Sequence, residues 1–415
     1  MLQRYSFFSL ARRALAGHRG WRQAWRSPDP KPSYDVIIIG GGGHGLATAY
    51  FLAKAHGIRN VAVLEKGWIG GGNSGRNTQV VRSNYFYPES AAFYERSRSL
   101  YERLSRELNF NLMFSQRGML VLAHSDHELE MQRRWLNAIL LNGIECELLT
   151  PAQIRSIEPL VELNGRYPVV GGFIQRSGGI ARHDAVNWGF ARAADGLGVD
   201  IIQDCAVTGF KVDGNRVMSV QTSRGNFSAG RVGIAVAGHS SVLARMAGFR
   251  LPLTSMALQA MVTEPVKPAL NTVLMSDMLH VYVSQSDRGE IVLGGAADGY
   301  NSYAQRGSFG TIEDNAAALL ALVPRLSRLK LMRQWAGIVD ISPDTTPILG
   351  KTPLHNLYIN AGWGTGGFKA IPAGGETFAW TIANDRPHPL VEAFTLERFA
   401  AGALIDETAA SAVAH

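Results

Sequence analysis

Gly40, Gly42 and Gly45, with Glu65 twenty residues beyond, are the residues whose types and spacing bear most directly on chemistry. Glycines at the GxGxxG spacing let a backbone turn tightly, approach a pyrophosphate and pack a helix close to a strand. An acid at that distance meets the hydroxyls of a ribose. The chemistry is the binding of a dinucleotide, and it demands a particular set of elements. Val36-Ile37-Ile38-Ile39 reads as a buried parallel strand, and Leu46 to Ala55 as a helix whose N-terminus faces the phosphates. Val61-Ala62-Val63-Leu64 reads as the second strand, ending at Glu65. A glycine-rich surface loop is the plainer reading of the turn, but it accounts for neither the flanking strands nor the acid in register.

The chain has 415 residues, 46% of them hydrophobic and 18% charged, the composition of a globular protein long enough for two cores. Its formal net charge is +7, and Arg4, Arg12, Arg13, Arg19, Arg22 and Arg26 all precede the first acid, Asp29. Setting those six aside from the 41 basic residues leaves a body nearly neutral against 34 acidic ones, which argues against nucleic acid as a partner. The basic arm, residues 1–32, interleaves these arginines with Tyr5, Phe7, Phe8, Leu10, Trp21 and Trp25. It reads either as a targeting or membrane-surface helix or as an arm that docks on another subunit. No apolar run reaches the roughly 20 residues needed to span a bilayer. Cys146 and Cys205 form neither a CxxC motif nor a disulfide framework, which fits a reducing cytoplasm and leaves no cysteine zinc site. His44, His239 and His280 are spaced too irregularly for a metal site, so no metal is expected.

Beyond Glu65, residues 66–77 form a second glycine-rich stretch, read as a loop folded over a ligand. Helices are expected over 89–108 and 127–142, with a strand over 118–123 between them. Residues 201–210 and 217–222, separated by Asp213-Gly214-Asn215, read as a hairpin. Residues 232–239 read as another central strand, and a β-rich region runs from Leu253 to Leu293. A final strand, 357–360, runs into the turn Ala361 to Lys369 and a helix near 375–385. The expected fold class is α/β: a discontinuous Rossmann-like dinucleotide-binding domain with a second, mainly antiparallel β-sheet substrate domain. The first takes residues 33–110, 165–250 and 330–400, the second 111–164 and 251–329, and a tail covers 401–415.

The segments GGGGHGLATAYFLA, LEKGWIGGGNSGRNT, VRSNY, ARHDAVNWGFARAA, AVAGHSSVLA, HVYVSQ, QWAGIVD and NAGWGTGGFKA occur in this order. In them the chain resembles, nearly end to end, the β-subunit family of heterotetrameric sarcosine oxidases, FAD oxidoreductases of the D-amino-acid-oxidase type. The resemblance implies noncovalent FAD held by Gly40, Gly42, Gly43, His44, Gly45, Glu65 and Lys66. It adds Asn73, Arg76, Asn77 and Thr78 from the second glycine-rich loop, and Val207, Gly238, Gly364, Thr365, Gly367 and Lys369 from later segments. Arg82 and Lys369 match the positions that bind the substrate carboxylate, and a pair of cations would favour the neutral amine of a bound amino acid. His183 matches the histidine that carries a covalent FMN at the junction with the α subunit. Partners implied are α, γ and δ subunits, with sarcosine as substrate. The implied reaction is oxidative demethylation to glycine, with electrons passing through FMN to oxygen to give hydrogen peroxide, and the one-carbon unit going to tetrahydrofolate on a partner.

Three departures from related enzymes stand out. Monomeric relatives tether FAD through a cysteine seven residues before an Asp, whereas here Asp344 points back to Gly337. They also carry a lysine in the strand that here reads Ile291-Val292-Leu293, and a Thr or Arg where this chain has Gln79. Two other readings remain open: a stand-alone FAD-dependent amine or D-amino-acid oxidase or dehydrogenase, and a non-catalytic flavoprotein scaffold.

Overall fold

In the computed structural model, which describes residues 6–19, 21 and 23–405, two eight-stranded sheets face each other across the dinucleotide turn. Arg4, Tyr5 and Arg22 of the arm, and the tail from Asp406 onward, lie outside the described residues.

The first sheet is built on Ser33–Ile39, which pairs in parallel with Gly225–Ile234 on one side and Val61–Leu64 on the other. Asp200–Ile202 and Leu357–Ala361 extend it in parallel, and Ile348–Lys351 closes one edge antiparallel. Strands covered on both faces lose the polar alternation of half-exposed ones, and Val36 to Ile39 and Val61 to Leu64 are accordingly buried throughout. Helix Gly43–Ala55 packs on this sheet against helices Ile371–Asn384 and His183–Gly196. It begins at Gly43, three residues earlier than the sequence suggested, because Gly42 serves as its N-cap. A Cβ at Gly375 would meet Ala47 and the Thr48 backbone, so the 43–55 and 371–384 helices touch main chain to main chain.

The second sheet runs Leu331–Ile341, Thr254–Pro265, Glu290–Asn301, Val281–Gln285, Val273–Ser276, Met119–Ala123, Gly171–Gln175, Glu147–Leu149. It is antiparallel except where 273–276 pairs in parallel with 119–123. Two segments from the ranges expected for the dinucleotide-binding domain take part in it. Gly171–Gln175 pairs with Met119–Ala123, and Leu331–Ile341 pairs with Thr254–Pro265 along its length, so both segments belong to the second sheet. Apolar runs of this kind do not declare which sheet they join. The expected strand 201–210 also divides. Asp200–Ile202 enters the first sheet, Asp204 turns with φ of 51°, and Val207–Asp213 forms the hairpin with Arg216–Thr222.

The arm starts with helix Phe7–Leu15, capped by the Ser6 hydroxyl accepting from the Ser9 N–H, and none of its residues is buried. The chain is then pinned to the body. The Arg26 guanidinium donates to Asp195 at 2.8 Å and to the Val199 carbonyl at 2.9 Å, while Lys31 pairs with Asp200 at 2.7 Å. At the other end Arg398 makes a buried two-pronged pair with Asp344, at 2.8 and 2.9 Å. No helix among the described residues is long and apolar enough to cross a membrane.

Candidate active site

Between the sheets lies a cavity of about 490 Å³, and the glycine turn forms its floor. Gly40 adopts φ of +112°, and a Cβ there would strike the Ala235 carbonyl. Gly45 abuts the Gly40 carbonyl in the same way, so only glycine lets helix and strand approach this closely. The 13-residue helix opens on the cavity through Gly42 and Gly43, the Gly43 N–H donating to the Ser74 hydroxyl at 2.8 Å. Glu65 is fixed at the end of its strand by the N–H groups of Gly41 at 2.8 Å and Gly67 at 2.9 Å. A helix N-terminus, a cradle that side chains would fill and an acid beside it fit the pyrophosphate and ribose of FAD.

The second glycine-rich loop lies over this floor and is stitched to the opposite sheet. Asn73 exchanges both of its amide groups with the backbone of Ile338, its Oδ1 accepting from the Ile338 N–H at 2.7 Å. The Arg76 guanidinium donates to the carbonyls of Gly71 and Gly72, while its own carbonyl accepts from Trp335 Nε1 at 2.6 Å. Asn77 closes the loop onto Ser74 and caps the Gln79 N–H, where φ is 71°.

Lys369 and Arg82 both line the cavity, and both are buried. Lys369 Nζ donates to the Thr365 carbonyl at 3.2 Å. Arg82 donates to Asn84 Oδ1 at 2.8 Å and lies over the Tyr85 ring at 4.8 Å. Burial, and then the positive charge of Arg82, hold the Lys369 ammonium well below its ordinary pKa. An anion would relieve the burial and repulsion acting on Lys369, which makes this part of the cavity a candidate for a carboxylate, while the buried Asp277 carboxyl already feels the charge of Arg82. Met119, Met275 and Tyr282 line the same region, and the Tyr282 hydroxyl is hydrogen-bonded to Thr78.

The structure gathers most of the expected site residues onto this cavity. Gly40, Gly42, Gly43, His44, Glu65, Lys66, Asn73, Arg76, Asn77, Thr78, Val207, Gly364, Thr365 and Gly367 line it together with Arg82 and Lys369. Gly45 and Gly238 do not. Gly45 serves the helix–strand contact, and Gly238 is a packing residue whose Cβ would meet Ile338. His183 lies apart from the cavity, at the start of helix His183–Gly196, its Nδ1 enclosed without a hydrogen-bond partner. Burial lowers its pKa, which keeps the imidazole neutral at physiological pH. The neighbouring Asp184 carboxylate accepts from the Arg182 guanidinium at 2.8 and 3.0 Å and from the Ala185 N–H.

Sequence reasoning missed the supports of the glycine turn after 361. Trp363 stacks on His44 with centroids 4.8 Å apart, and His44 Nε2 lies 2.8 Å from the Gly367 carbonyl, to which it donates. Burial pushes His44 down to about 4, so this donor stays neutral. Asp340 accepts from the Gly362 N–H at 2.6 Å, and burial raises its carboxyl to about 7. The alternation of HVYVSQ carried a signal for Tyr282, and nothing local carried one for Asp340. Among the described residues no cluster of His, Cys, Asp or Glu is arranged to hold a metal.

Comparison with known proteins shows the family to which the chain belongs. Residues 35–380 match the family model described as FAD dependent oxidoreductase. Sarcosine oxidase subunit beta of Rhodobacter capsulatus is 54% identical over 415 residues, the whole of both chains. The protein of the same name from Arthrobacter sp is 54% identical over 393 residues, 94% of this chain and 97% of that one. Among solved structures, L-proline dehydrogenase from P. horikoshii superimposes with a TM-score of 0.85 at 28% identity, covering 90% of this chain and all of the other.

Proposed function

Because the chain belongs to the FAD-dependent oxidoreductases, and within them to the sarcosine oxidase β-subunit family, we propose that it is the sarcosine-oxidising subunit of a multi-subunit oxidase. The observation that carries this reading is that two buried basic side chains, Arg82 and Lys369, line the same cavity and feel each other's charge. These two cations hold the carboxylate of sarcosine, and Met119, Met275 and Tyr282 are among the apolar and aromatic side chains of the same cavity available to its N-methyl end. The burial, and with it the repulsion from Arg82, that depresses the ammonium of Lys369 also disfavours a positive amine next to it, so the substrate nitrogen is held neutral with its lone pair available. Gly40, Gly42, Gly43 and Glu65 hold the pyrophosphate and ribose of FAD, and the 364–367 turn with His44 holds the ring end. The flavins supply the redox chemistry when bound: hydride acceptance from the methyl carbon, and onward passage of electrons to oxygen with hydrogen peroxide as product.

His183 is the attachment point of a covalent FMN on this reading. An imidazole kept neutral by burial, with one nitrogen unclaimed by any neighbour, supports it. The α, γ and δ chains are the partners, one of them offering tetrahydrofolate to the released one-carbon unit, and the assembly works in the cytoplasm. Anaerobic addition of sarcosine to the assembled protein should bleach the flavin absorbance. Lys369→Ala should lower the efficiency of that reduction about a hundredfold or more, since about 1.4 kcal/mol of lost stabilisation is one decade. Bleaching at the wild-type rate in that variant removes Lys369 from the site. Acid-precipitated protein should keep flavin fluorescence and lose it in His183→Asn.

A further inference from the structure

Arg82 is bracketed by main-chain fixtures. One residue before it ends the ribbon in which Val80–Val81 pairs with Gly179–Ile180. One residue after it, Ser83 is gripped from two sides. The Ser83 N–H donates to Gln175 Oε1 at 3.0 Å, and Gln175 Nε2 donates back to the Ser83 hydroxyl at 2.6 Å. A backbone N–H can only donate, so it fixes which way the Gln175 amide is turned. The hydroxyl, accepting from that amide, gives its own proton to Glu95 Oε2 at 2.6 Å. The Arg98 guanidinium holds the Glu95 carboxylate in turn, at 2.6 to 3.1 Å. Gln175 belongs to the second sheet and Glu95 to helix Pro88–Glu107, so separate elements meet at one serine. Ser83 and Gln175 are completely buried, where an amide and a hydroxyl are costly unless bonded, and here they are bonded to each other. Beyond them the chain turns tightly: the Tyr85 N–H donates to the Ser83 carbonyl at 2.7 Å, and Trp135 Nε1 donates to the Asn84 carbonyl at 3.1 Å.

We propose that Ser83 and Gln175, backed by Glu95, are positioning residues for the carboxylate site: their clasp fixes the main chain beside Arg82, so that the guanidinium stands ready before a ligand arrives. The proposal rests on the reading of Arg82 as a carboxylate ligand. Arg82 lines the cavity, whereas Ser83, Glu95 and Gln175 do not, so their influence reaches a bound molecule through Arg82. A long side chain loses rotational freedom when it binds, and anchoring its backbone in advance leaves less to be lost. The clasp sets where Arg82 leaves the main chain, and Asn84 Oδ1, accepting from its Nη1 at 2.8 Å, sets how the guanidinium turns. A carboxylate is held alike in the bound substrate and at the moment of reaction, so opening the clasp weakens binding and leaves the reaction step nearly untouched.

The test uses the full chain in its assembled, flavin-loaded form. Acetate titrations followed by the flavin spectrum, and steady-state turnover of sarcosine, are compared for wild type, Gln175→Met, Ser83→Ala and the double variant. Each single change should raise the Kd of acetate and the KM of sarcosine about tenfold, with kcat within about twofold of wild type. The double variant should be no worse than the poorer single one, because either change opens the same clasp. Glu95→Ala, at the half-exposed end of the chain of bonds, should raise both constants about threefold and serves if the buried variants fail to fold. Gln132→Met is the control for lost stability. It removes a buried amide that donates to the Leu122 carbonyl at 2.9 Å, and it should lower the thermal midpoint with acetate Kd and KM unchanged. Wild-type constants in folded Gln175→Met, or in Glu95→Ala where that is the variant that folds, overturn the proposal. So does a loss confined to kcat, or an equal shift in Gln132→Met. Wild-type protein that binds no acetate defeats the reading of Arg82 and the proposal with it. If acetate binds but sarcosine leaves the wild-type flavin oxidised, the catalytic reading fails and the acetate comparison still decides the role of the clasp.

Discussion

Lys369 is set to change its protonation when a ligand arrives. Its ammonium is depressed by burial and by Arg82, so a carboxylate entering between the two raises its pKa again. Binding of acetate, as a minimal carboxylate, should therefore take up a proton, and affinity should fall as pH rises through the depressed pKa. Calorimetry in buffers of different ionisation enthalpy reads this directly; the uptake should vanish in Lys369→Met, and proton-neutral binding from neutral pH upward in the wild type would show an ammonium already charged. Asp340 has the opposite linkage. A carboxyl raised from 3.8 to about 7 is favoured in its protonated form by the folded state. Stability is then highest below the ordinary carboxyl range and falls as pH rises toward 7, by about 4 kcal/mol at about 1.4 kcal/mol per unit. Asp340→Asn should be stabilised relative to wild type at pH 8 and nearly equal to it at pH 4, as measured by denaturant midpoints. A pH-independent difference would place the titration elsewhere. Residues that announce themselves by motif, such as Gly40 and Glu65, were legible in the sequence. Asp340 was not, because its role depends on a strand from one sheet meeting a turn from the other.

Elements were legible where their period was clean and their neighbours sequential. The strand, turn, helix and strand from 33 to 64 follow from local pattern alone. Leu331–Ile341 and Gly171–Gln175 lie in ranges expected with the dinucleotide-binding domain yet pair in the second sheet, because nothing in a strand's own residues says which sheet it joins. The split at Asp204 was invisible for a related reason: one residue with positive φ redirects an otherwise continuous β segment. Close helix contact makes a prediction at this scale. Gly375→Ala places a methyl against Ala47 and the Thr48 backbone and should cost about 1–3 kcal/mol. Gly196→Ala, at the end of its helix with nothing near, should be neutral or gain about 0.5–1 kcal/mol. Equal thermal midpoints for the two variants would mean that the 43–55 and 371–384 helices separate without cost.

At the scale of the whole molecule, the C-terminal segment is clipped to the first sheet by Arg398 and Asp344, both buried. Arg398→Ala strands a carboxylate in the interior and should lose about 3–5 kcal/mol. Arg398→Met with Asp344→Leu should recover much of that loss. A double variant no more stable than the single one would show that the pair does more than satisfy itself. The cavity, finally, draws its walls from Ile39 at one extreme of the chain to Ile371 at the other. A polypeptide still emerging from the ribosome therefore has no vessel for its coenzyme until nearly all of it has been synthesised. Flavin loading is a late event in the life of this molecule, and a chain truncated before the 357–361 strand should emerge colourless.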